Sequence, residues 1–421
     1  MNISKLSYAS LAVITALGLS GCGGGGDTAA SGPANTTTVG VVSGFGSVYV
    51  NGCEYETDST SISVDGQSAT EDDLSVGDVV VVTGPANCTS GNAAQISSSD
   101  ELEGWVDSVA LDVNGVGTMV VMGQTVTVTD MTIFEDDSAS VATINDIVAD
   151  NIVEVHGFSS DQGTILATRV EVKAASLAGY VGELELKGVV NNHNDIASTF
   201  DIGALTIAYS AITPGFTITN DLLVEVKFDT SKTPISIEIE DDGKLGYSGD
   251  NNEEVEIYGV LTSVLSNNEF VLGEQKIQVT DTTEYEEVDG TVTLQEKLAD
   301  TNLLGKLYLE VEGKFDGGTL VAKQVEFEDD IADNNECEGT VSNLVATPGE
   351  MNAGSFTVNA TTPAECEGQT SMDVTVNNST IMEDDSAANV SKFNFTYLGN
   401  GDLVEVYIDP ASGAAIKLER K

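Results

Sequence analysis

The stretch MTIFEDD at Met131–Asp137 is nearly repeated as STIMEDD at Ser379–Asp385. Two explanations are open: a metal site used in duplicate, or one small module copied along the chain. We expect the second, with the two phrases forming the same turn in two copies. Ile133 and Ile381 would point inward and the acids would enter solvent, because Asp side chains readily accept hydrogen bonds from backbone amides in turns.

Segments similar to those around the two phrases recur with a period of about 70 residues. Each copy opens near a glycine and then alternates apolar and polar residues, a pattern typical of half-buried strands. Helical periodicity is nearly absent. The openings of the five copies are VGVVSGFGSVYVNG at Val39, EGWVDSVALD at Glu103, LKGVVNNHND at Leu186, YGVLTSVLSN at Tyr258 and EGTVSNLVAT at Glu338.

The pattern predicts an all-β protein built as a tandem array of about five small modules. Each would be a five- or six-stranded β-barrel or a compact sandwich, and closure of a barrel would remove exposed edge strands. We expect each module to contact only its neighbours along the chain. The predicted boundaries, numbered below as modules 1 to 5, are residues 39–100, 103–175, 179–243, 255–328 and 336–421.

The N-terminus has the pattern of an exported lipoprotein. Leu6–Leu19 is apolar or small but too short to span a membrane, and LSGC follows at Leu19–Cys22. This arrangement resembles a bacterial lipobox, which implies a signal peptide over residues 1–21 and lipidation of Cys22. A plain signal peptide with a chance cysteine is the alternative.

The residues around the lipobox suggest a location and a linker. Gly23 rather than Asp follows the cysteine, and by resemblance to lipoproteins of diderm bacteria this implies the outer membrane. Residues 22–38 would form a flexible, glycine-rich tether before the first module.

Carboxylates dominate the charge of the chain. The sequence has 68 Asp and Glu against 16 Lys and Arg, a formal net charge of −52. Leu6–Thr168 contains no Lys or Arg at all, against 22 carboxylates. Such a surface repels phosphate backbones and anionic lipid headgroups. We therefore expect no nucleic-acid partner, and no membrane contact apart from the lipid anchor.

Four cysteines remain besides Cys22, and they form two local pairs. In an exported protein such pairs predict disulfides, here Cys53–Cys88 in module 1 and Cys337–Cys366 in module 5. A zinc site would need closer spacing or histidine partners.

Catalytic motifs are absent from the sequence: there is no nucleophile elbow, phosphate-binding loop or dinucleotide-binding motif. His156 and His193 fall in different modules and are interpreted as surface or strand-end residues. Trp105 is interpreted as partly buried core, although an exposed Trp could stack on a sugar. Paired carboxylates occur throughout, which leaves an enzyme using them as an open alternative.

Calcium is the metal that the composition favours. Hard cations prefer oxygen ligands, and carboxylates stand next to Gly and Asn at the module junctions. No EF-hand loop is present, and solvated linkers are the alternative explanation. The candidate ligands are Asp241, Asp242, Asp250, Glu328, Asp329 and Asp330.

Two parts of the chain resemble the domain-of-unknown-function family DUF5666. They are SGFGSVYVNGCEYET with VDGQSATEDDLSVGDVVVVTGP in module 1, and the segment Glu135–Glu171 in module 2. Module 3 departs from the pattern, because Thr213-Pro214-Gly215 stands where the acidic phrase is expected. The resemblance implies tandem β-rich modules of an exported bacterial protein and implies no activity. The family's modules are similar in length and strand pattern to oligonucleotide/oligosaccharide-binding (OB) barrels, which is an analogy of fold only.

These observations predict a cell-envelope lipoprotein of repeated β-modules with a binding or structural role, without catalysis and with no cofactor except, as an alternative, calcium. A surface protein that binds a carbohydrate, another polymer or calcium is the second hypothesis, with an envelope protein or polysaccharide as partner. An enzyme is the third.

Overall fold

The protein is all-β, as the alternating apolar pattern predicts. Three-residue 3₁₀ turns lie at Glu71–Asp73, Ile144–Asp146 and Phe395–Tyr397. Among the described residues, no helix has the length and apolarity that crossing a membrane requires. The computed structural model describes residues 35–85, 91–138, 141–159, 163–239, 254–272, 275–286, 307–316, 319–327, 335–363, 366, 368–409 and 412–421.

The described residues of module 1 form eight strands, more than the five or six predicted, and modules 2 and 3 form six each. Module 1 contains β1 (Asn35–Phe45), β2 (Val48–Val50), β3 (Cys53–Glu56), β4 (Ser61–Val64), β5 (Gln67–Ala69), β6 (Val79–Pro85), β7 (Gly91–Asn92) and β8 (Gln95–Ser98). Module 2 contains β9 (Leu102–Leu111), β10 (Gly117–Val121), β11 (Gln124–Val128), β12 (Ile133–Asp136), β13 (Ile152–Ser159) and β14 (Thr164–Ala174). Module 3 contains β15 (Glu185–Val189), β16 (Asn191–Asn194), β17 (Thr199–Ile202), β18 (Leu205–Ala208), β19 (Leu223–Phe228) and β20 (Pro234–Ile239).

The last two modules repeat the arrangement of module 2. Module 4 contains β21 (Glu254–Ser266), β22 (Glu269–Leu272), β23 (Gln275–Gln278), β24 (Glu284–Glu286), β25 (Tyr308–Asp316) and β26 (Thr319–Phe327). Module 5 contains β27 (Asn335–Ala346), β28 (Gly354–Ala360), β29 (Ser371–Val376), β30 (Ile381–Asp384), β31 (Leu403–Ile408) and β32 (Ala415–Arg420).

Strand pairing closes into a ring in modules 2 and 4. In module 2, β9 pairs with β10, β10 with β11, β11 in parallel with β14, β14 with β13, and β13 again with β9. Module 4 has the same cycle through β21, β22, β23, β26 and β25. Closure pairs both sides of each strand in the ring.

Separate modules share sheets. β1 pairs in parallel with β21, which joins modules 1 and 4 in a 14-stranded sheet, and β9 pairs with β15, which joins modules 2 and 3 in a nine-stranded sheet. The first strand starts at Asn35, earlier than the predicted Val39, because Thr37 and Thr38 are buried and pair with both β6 and β21.

The prediction that modules contact only their sequence neighbours is therefore wrong. Module 1 also contacts module 5: the Ser43 hydroxyl donates to the carbonyl of Asn378 at 2.9 Å, and the Lys392 ammonium lies 3.0 Å from Asp72. Phe158 of module 2 belongs to the same apolar core as Leu272 of module 4. The first strands of the modules are long, and backbone groups at their edges pair with strands of other modules, as β1 does with β21 and β9 with β15.

In four modules a threonine hydroxyl fixes the start of the short parallel strand, which is the acidic phrase in modules 2, 4 and 5, to a residue within or just before the last strand. It donates to an alanine carbonyl, in the pairs Thr60–Ala93, Thr132–Ala167, Thr283–Ala322 and Thr380–Ala415, at 2.7–2.9 Å. In module 3, Ile212 occupies the corresponding place, with its amide donating to Tyr209 O as the Thr132 amide donates to Thr129 O. Module 3 thus lacks the threonine hydroxyl at the same place where it also lacks the acidic phrase.

The repeated acidic phrase is the same element in modules 2 and 5, but it is a short strand and not a solvent-exposed turn. β12 pairs in parallel with β14, and β30 pairs in parallel with β32. Asp136 accepts hydrogen bonds from the amides of Ser138 and Val141, and Asp384 accepts them from Ser386 and Val390. Asp384 is buried, because Arg420 also binds its carboxylate. The expectation that these acids enter solvent is wrong for Asp384.

Candidate functional site

Most of the side chains proposed from the sequence as sites lie where the structure gives no description. The calcium candidates Asp241, Asp242, Asp250, Glu328, Asp329 and Asp330 lie outside the described residues, as do Cys22 and Cys88. Cys337 and Cys366 are joined by a disulfide, and Cys53 is also a disulfide cysteine. Its pairing with Cys88 stays a prediction.

A row of glutamates crosses the sheet of module 2. Glu135 lies opposite Glu171, Glu171 opposite Glu154, and Glu154 opposite Glu103. We call these four residues the glutamate row. Side chains alternate between the two faces of a strand, so the buried Val153, Val155, Val170 and Val172 point into the core, and the glutamates point to the opposite face.

Two cations from β14 compensate the glutamate row. The Lys173 ammonium lies 3.1 Å from Glu154 Oε2 and 2.8 Å from Glu171 Oε1, and the Arg169 guanidinium binds both Glu135 and Glu171. Burial opposes the charged form of Lys173, but the neighbouring glutamates outweigh it and raise the pKa of the ammonium. Like charges placed opposite one another in a sheet destabilise it, so the row depends on these cations.

Module 5 carries the same unit. Glu383 lies opposite Glu419, Glu419 opposite Glu405, and Glu405 opposite Glu338. The cations come again from the last strand and the residue after it: Lys417 lies 3.1 Å from Glu383, and Lys421 lies 2.7 Å from Glu405. The row with its two cations therefore recurs in modules 2 and 5.

A cleft of about 600 Å³ opens between module 1 and the outer face of module 2. Its floor, as we define it, consists of five side chains that are at least four-fifths buried: Asp78, Glu154, His156, Arg169 and Glu171. Its rim consists of Asp65, Asp73, Glu135 and Asp137, and Lys173, Ser391 of module 5 and the β4–β5 hairpin complete the lining.

Several polar atoms of the floor make no hydrogen bond within the described structure. They are Asp78 Oδ1, His156 Nδ1 and Arg169 Nε, all buried. His156 Nε2 lies 3.0 Å from Glu154 Oε1 and 3.5 Å from Asp78 Oδ1. The interpretation of His156 as a surface or strand-end residue is wrong in one respect, because the ring is buried under module 1. The sequence gives no sign of this cover, because Asp78 comes from a different module.

Two groups of carboxylates near the cleft are close enough together to hold one cation: Asp65 with Asp100 and Glu185, and Asp100 with Glu103 and Glu154. The Lys187 ammonium lies 3.4 Å from Asp100, 3.6 Å from Asp65 and 4.0 Å from Glu185. The positive charge of the first group is thus supplied by the chain itself.

The second group is also unsuited to a metal ion at neutral pH. Burial, aided by the charge of Glu154, raises the pKa of Glu103 to about 8, and the Tyr180 hydroxyl donates to this carboxyl. Asp100 is already held by Lys187. A protonated carboxyl is a poor ligand for a hard cation.

Trp105, the aromatic residue considered for sugar stacking, lies inside the protein. Trp105 is buried and packs edge-to-face on Phe228, with ring centroids 5.6 Å apart. The interpretation of Trp105 as core is consistent with this burial. His193 stacks on Tyr209 in module 3, far in sequence from the cleft residues.

Residues 103–171, 258–326 and 338–416 match the family described as a domain of unknown function, DUF5666. These segments make up just over half of the chain. The chain belongs to the DUF5666 family. No curated protein matches the sequence. The matched segments are modules 2, 4 and 5, and they do not include the module 1 stretch on which the resemblance was noted.

Opposed glutamates recur beyond modules 2 and 5 and were not predicted from the sequence; in module 3, Glu225 lies opposite Glu238. In module 4, Glu286 lies opposite Glu326, and Glu326 opposite Glu310. Module 1 has Ser63, Ser97 and Val81 in the corresponding register. The signal that could have revealed the row is the recurrent phrase IVEV, YLEV and LVEV on the fifth strand of modules 2, 4 and 5, followed by RVEV, QVEF and KLER on the last strand.

Proposed function

We propose that this DUF5666 protein is a lipid-anchored protein of the outer membrane, facing the periplasm or the cell surface, whose joined β-modules form a binding scaffold. Its ligand would enter the cleft between modules 1 and 2. The observation that carries this proposal is the cleft floor, where charged side chains are buried although some of their polar atoms make no hydrogen bond within the described structure.

The size and the chemistry of the cleft favour a binding role over a purely structural one. A volume of about 600 Å³ falls in the range of roughly 300–1,000 Å³ that is common for small-molecule sites. A buried polar atom without a hydrogen bond costs about 1–3 kcal/mol. An ion-pair network that served stability alone would gain by satisfying Asp78 Oδ1 and His156 Nδ1.

The strand order supports an OB-like barrel as the module fold. The OB-fold is a five-stranded barrel whose exposed face and loops bind ligands. The five-strand cycles of modules 2 and 4, with the third strand parallel to the last, suit this proposal.

The membrane anchor rests on the lipobox at Leu19–Cys22. We expect the full-length protein to partition into the detergent phase and the Cys22→Ser variant to remain in the aqueous phase when both are expressed in a diderm bacterium. Equal partitioning of the two proteins would contradict the anchor and would leave the binding role to its own test.

The binding role is tested by thermal unfolding with a panel of aliphatic amines, neutral sugars, organic anions and divalent cations including calcium. The variant Ser68→Trp fills the cleft from β5, and Ser355→Trp places the same side chain on an exposed strand position of module 5. We expect at least one class to raise the melting temperature of the wild type and of Ser355→Trp but not of Ser68→Trp. No shift with any class, or an equal shift in all three proteins, would contradict the proposal.

A further inference from the structure

We propose that the cleft between modules 1 and 2 binds an elongated aliphatic amine that carries two or more ammonium groups. This inference rests on the proposed binding role and adds the chemical class of the ligand.

The charge of the cleft selects a cation. Its lining contains seven carboxylates and two cations, Arg169 and Lys173. Both cations already contact glutamates of the row. The outer carboxylates Asp65, Asp73 and Asp137 carry the remaining negative charge, which Lys187, 3.6 Å from Asp65, and Lys173, 3.8 Å from Asp137, offset only in part.

Asp137 shows the effect of this excess. Its side chain is 69% exposed, and its hydrogen bond to Glu171, with partial burial, raises the pKa of the Asp137 carboxyl to about 6. Lys173 lies 2.8 Å from Glu171 and 3.8 Å from Asp137, and two neighbouring carboxylates still share a proton when the nearby cation does not neutralise both. An ammonium group bound at the rim would replace that shared proton.

The floor calls for hydrogen-bond donors. His156 Nε2 lies 3.0 Å from Glu154 Oε1, and in the tautomer that donates from Nε2 to this carboxylate, Nδ1 is an acceptor. Asp78 Oδ1 is a second acceptor, and neither atom receives a hydrogen bond within the described structure. An ammonium group offers three donors and no acceptor, which matches this pair.

An organic chain suits the cleft better than a metal ion. Of the carboxylate groups close enough to hold one ion, none within the described residues includes Asp73, Glu135 or Asp137. The rim carboxylates are spread around the opening, so they suit charges separated along a chain. Val64 and Ala69 also line the cleft and offer apolar surface to methylene groups.

The test is isothermal titration of the intact protein with spermidine, butylamine and calcium chloride at constant ionic strength. The variants are Asp78→Asn for the floor and Asp137→Asn for the rim. Asp195→Asn, whose side chain is 88% exposed in module 3, is the control for unspecific attraction to an acidic protein.

We expect spermidine to bind with a stoichiometry near one, and butylamine to bind at least tenfold more weakly. Asp137→Asn should weaken spermidine binding about fivefold, the order of one exposed ion pair, Asp78→Asn should weaken it more, and Asp195→Asn should leave it unchanged. Several spermidine molecules per chain, or equal losses in all three variants, would show unspecific attraction and overturn the inference.

Other outcomes separate this inference from the proposed function. If spermidine fails while a sugar or an anion raises the melting temperature in a manner abolished by Ser68→Trp, the ligand class is wrong and the binding role stands. Tight calcium binding abolished by Asp137→Asn would replace the amine with a metal ion. If no class binds, both proposals fail.

Discussion

Glu154 and Glu171 lie directly opposite each other on neighbouring antiparallel strands, and the Lys173 ammonium contacts both carboxylates. Opposed like charges destabilise a sheet, so this arrangement persists because a cation two residues further along the same strand joins them. Glu405 and Glu419 repeat the relationship with Lys421. The chain has 16 cations for 68 carboxylates, so a lysine that neutralises two opposed glutamates is important for stability.

Replacing Lys173 with Met should lower the free energy of unfolding by about 1–3 kcal/mol, because it leaves two largely buried glutamates opposed with Arg169 as the remaining cation between them. The matched control is Lys323→Met, where an exposed lysine lies 2.7 Å from Glu312 in module 4. There we expect a change below about 0.5 kcal/mol. Urea unfolding of both variants checks this, and equal losses would show that the position in the glutamate row has no special role.

The raised pKa of Glu103 makes stability depend on pH. A carboxyl with a folded-state pKa of about 8 contributes stability that is fully present below its unfolded pKa of about 4.3 and is lost as pH rises through 8. Glu103→Gln should match the wild type at pH 5 and exceed it by roughly 1–3 kcal/mol at pH 8.5. A difference that stays constant from pH 5 to 8.5 would contradict the shift.

Salt should stabilise the protein. With a net charge of −52, the folded chain repels itself, and salt at physiological concentration largely screens the repulsion between exposed charges that lie more than about 8 Å apart. We expect the melting temperature to rise by several degrees between low and moderate ionic strength, equally in sodium and potassium chloride. A rise seen with only one of these cations would indicate a specific site instead of screening.

The hydroxyl of Thr132 should matter because it is buried and donates to Ala167 O at 2.9 Å. Thr132→Val removes this bond at nearly constant volume and should cost about 1–2 kcal/mol, whereas Thr132→Ser should retain most of the stability. Thr206→Val, at an exposed position that bonds Asp201, should change little. Chemical unfolding of the three variants tests this prediction. Similar losses of stability for Thr132→Val and Thr206→Val would show that the buried hydrogen bond of Thr132 has no special contribution.

The disulfides can be counted by intact mass before and after reduction. We expect all four cysteines of modules 1 and 5 to resist alkylation until a reductant is added, Cys53 pairing with Cys88 as Cys337 pairs with Cys366. Reduction should destabilise each of these modules by about 3–4 kcal/mol on loop-closure arguments. Free thiols in protein made in an oxidising compartment would exclude the Cys53–Cys88 pairing.

Much of the fold was predictable from local patterns. Alternation in phrases such as IVEV places Val153 and Val155 on one face and Glu154 on the other, so the strands and their buried faces follow from the period of two. The repeat identified TIFEDD and TIMEDD as one element. The sequence predicted a turn there and not a strand, because β12 and β30 are strands only through their pairing with β14 and β32.

Much less of the candidate site could be predicted from the sequence. Glu135, Glu154 and Glu171 stand in three separate segments, and only strand register brings them into one row. His156 looked like a strand-end residue because the Asp78 that covers it belongs to the preceding module. The calcium prediction relied on the densest acidic runs, which lie at the module junctions. The carboxylates that the structure brings together are instead spread over several strands.

The all-β class, the repeated module, the strand faces and the excess of negative charge can be read from the amino-acid sequence, because each of these depends on residues close together in the chain or on composition. The pairing of β1 with β21 past two intervening modules, the alignment of the glutamates and the cleft that module 1 closes over them depend on tertiary packing. Alternation fixes which face of a strand is buried. It does not fix which edge a strand pairs with, since backbone hydrogen bonds are the same for every sequence and the choice depends on how distant modules fit together.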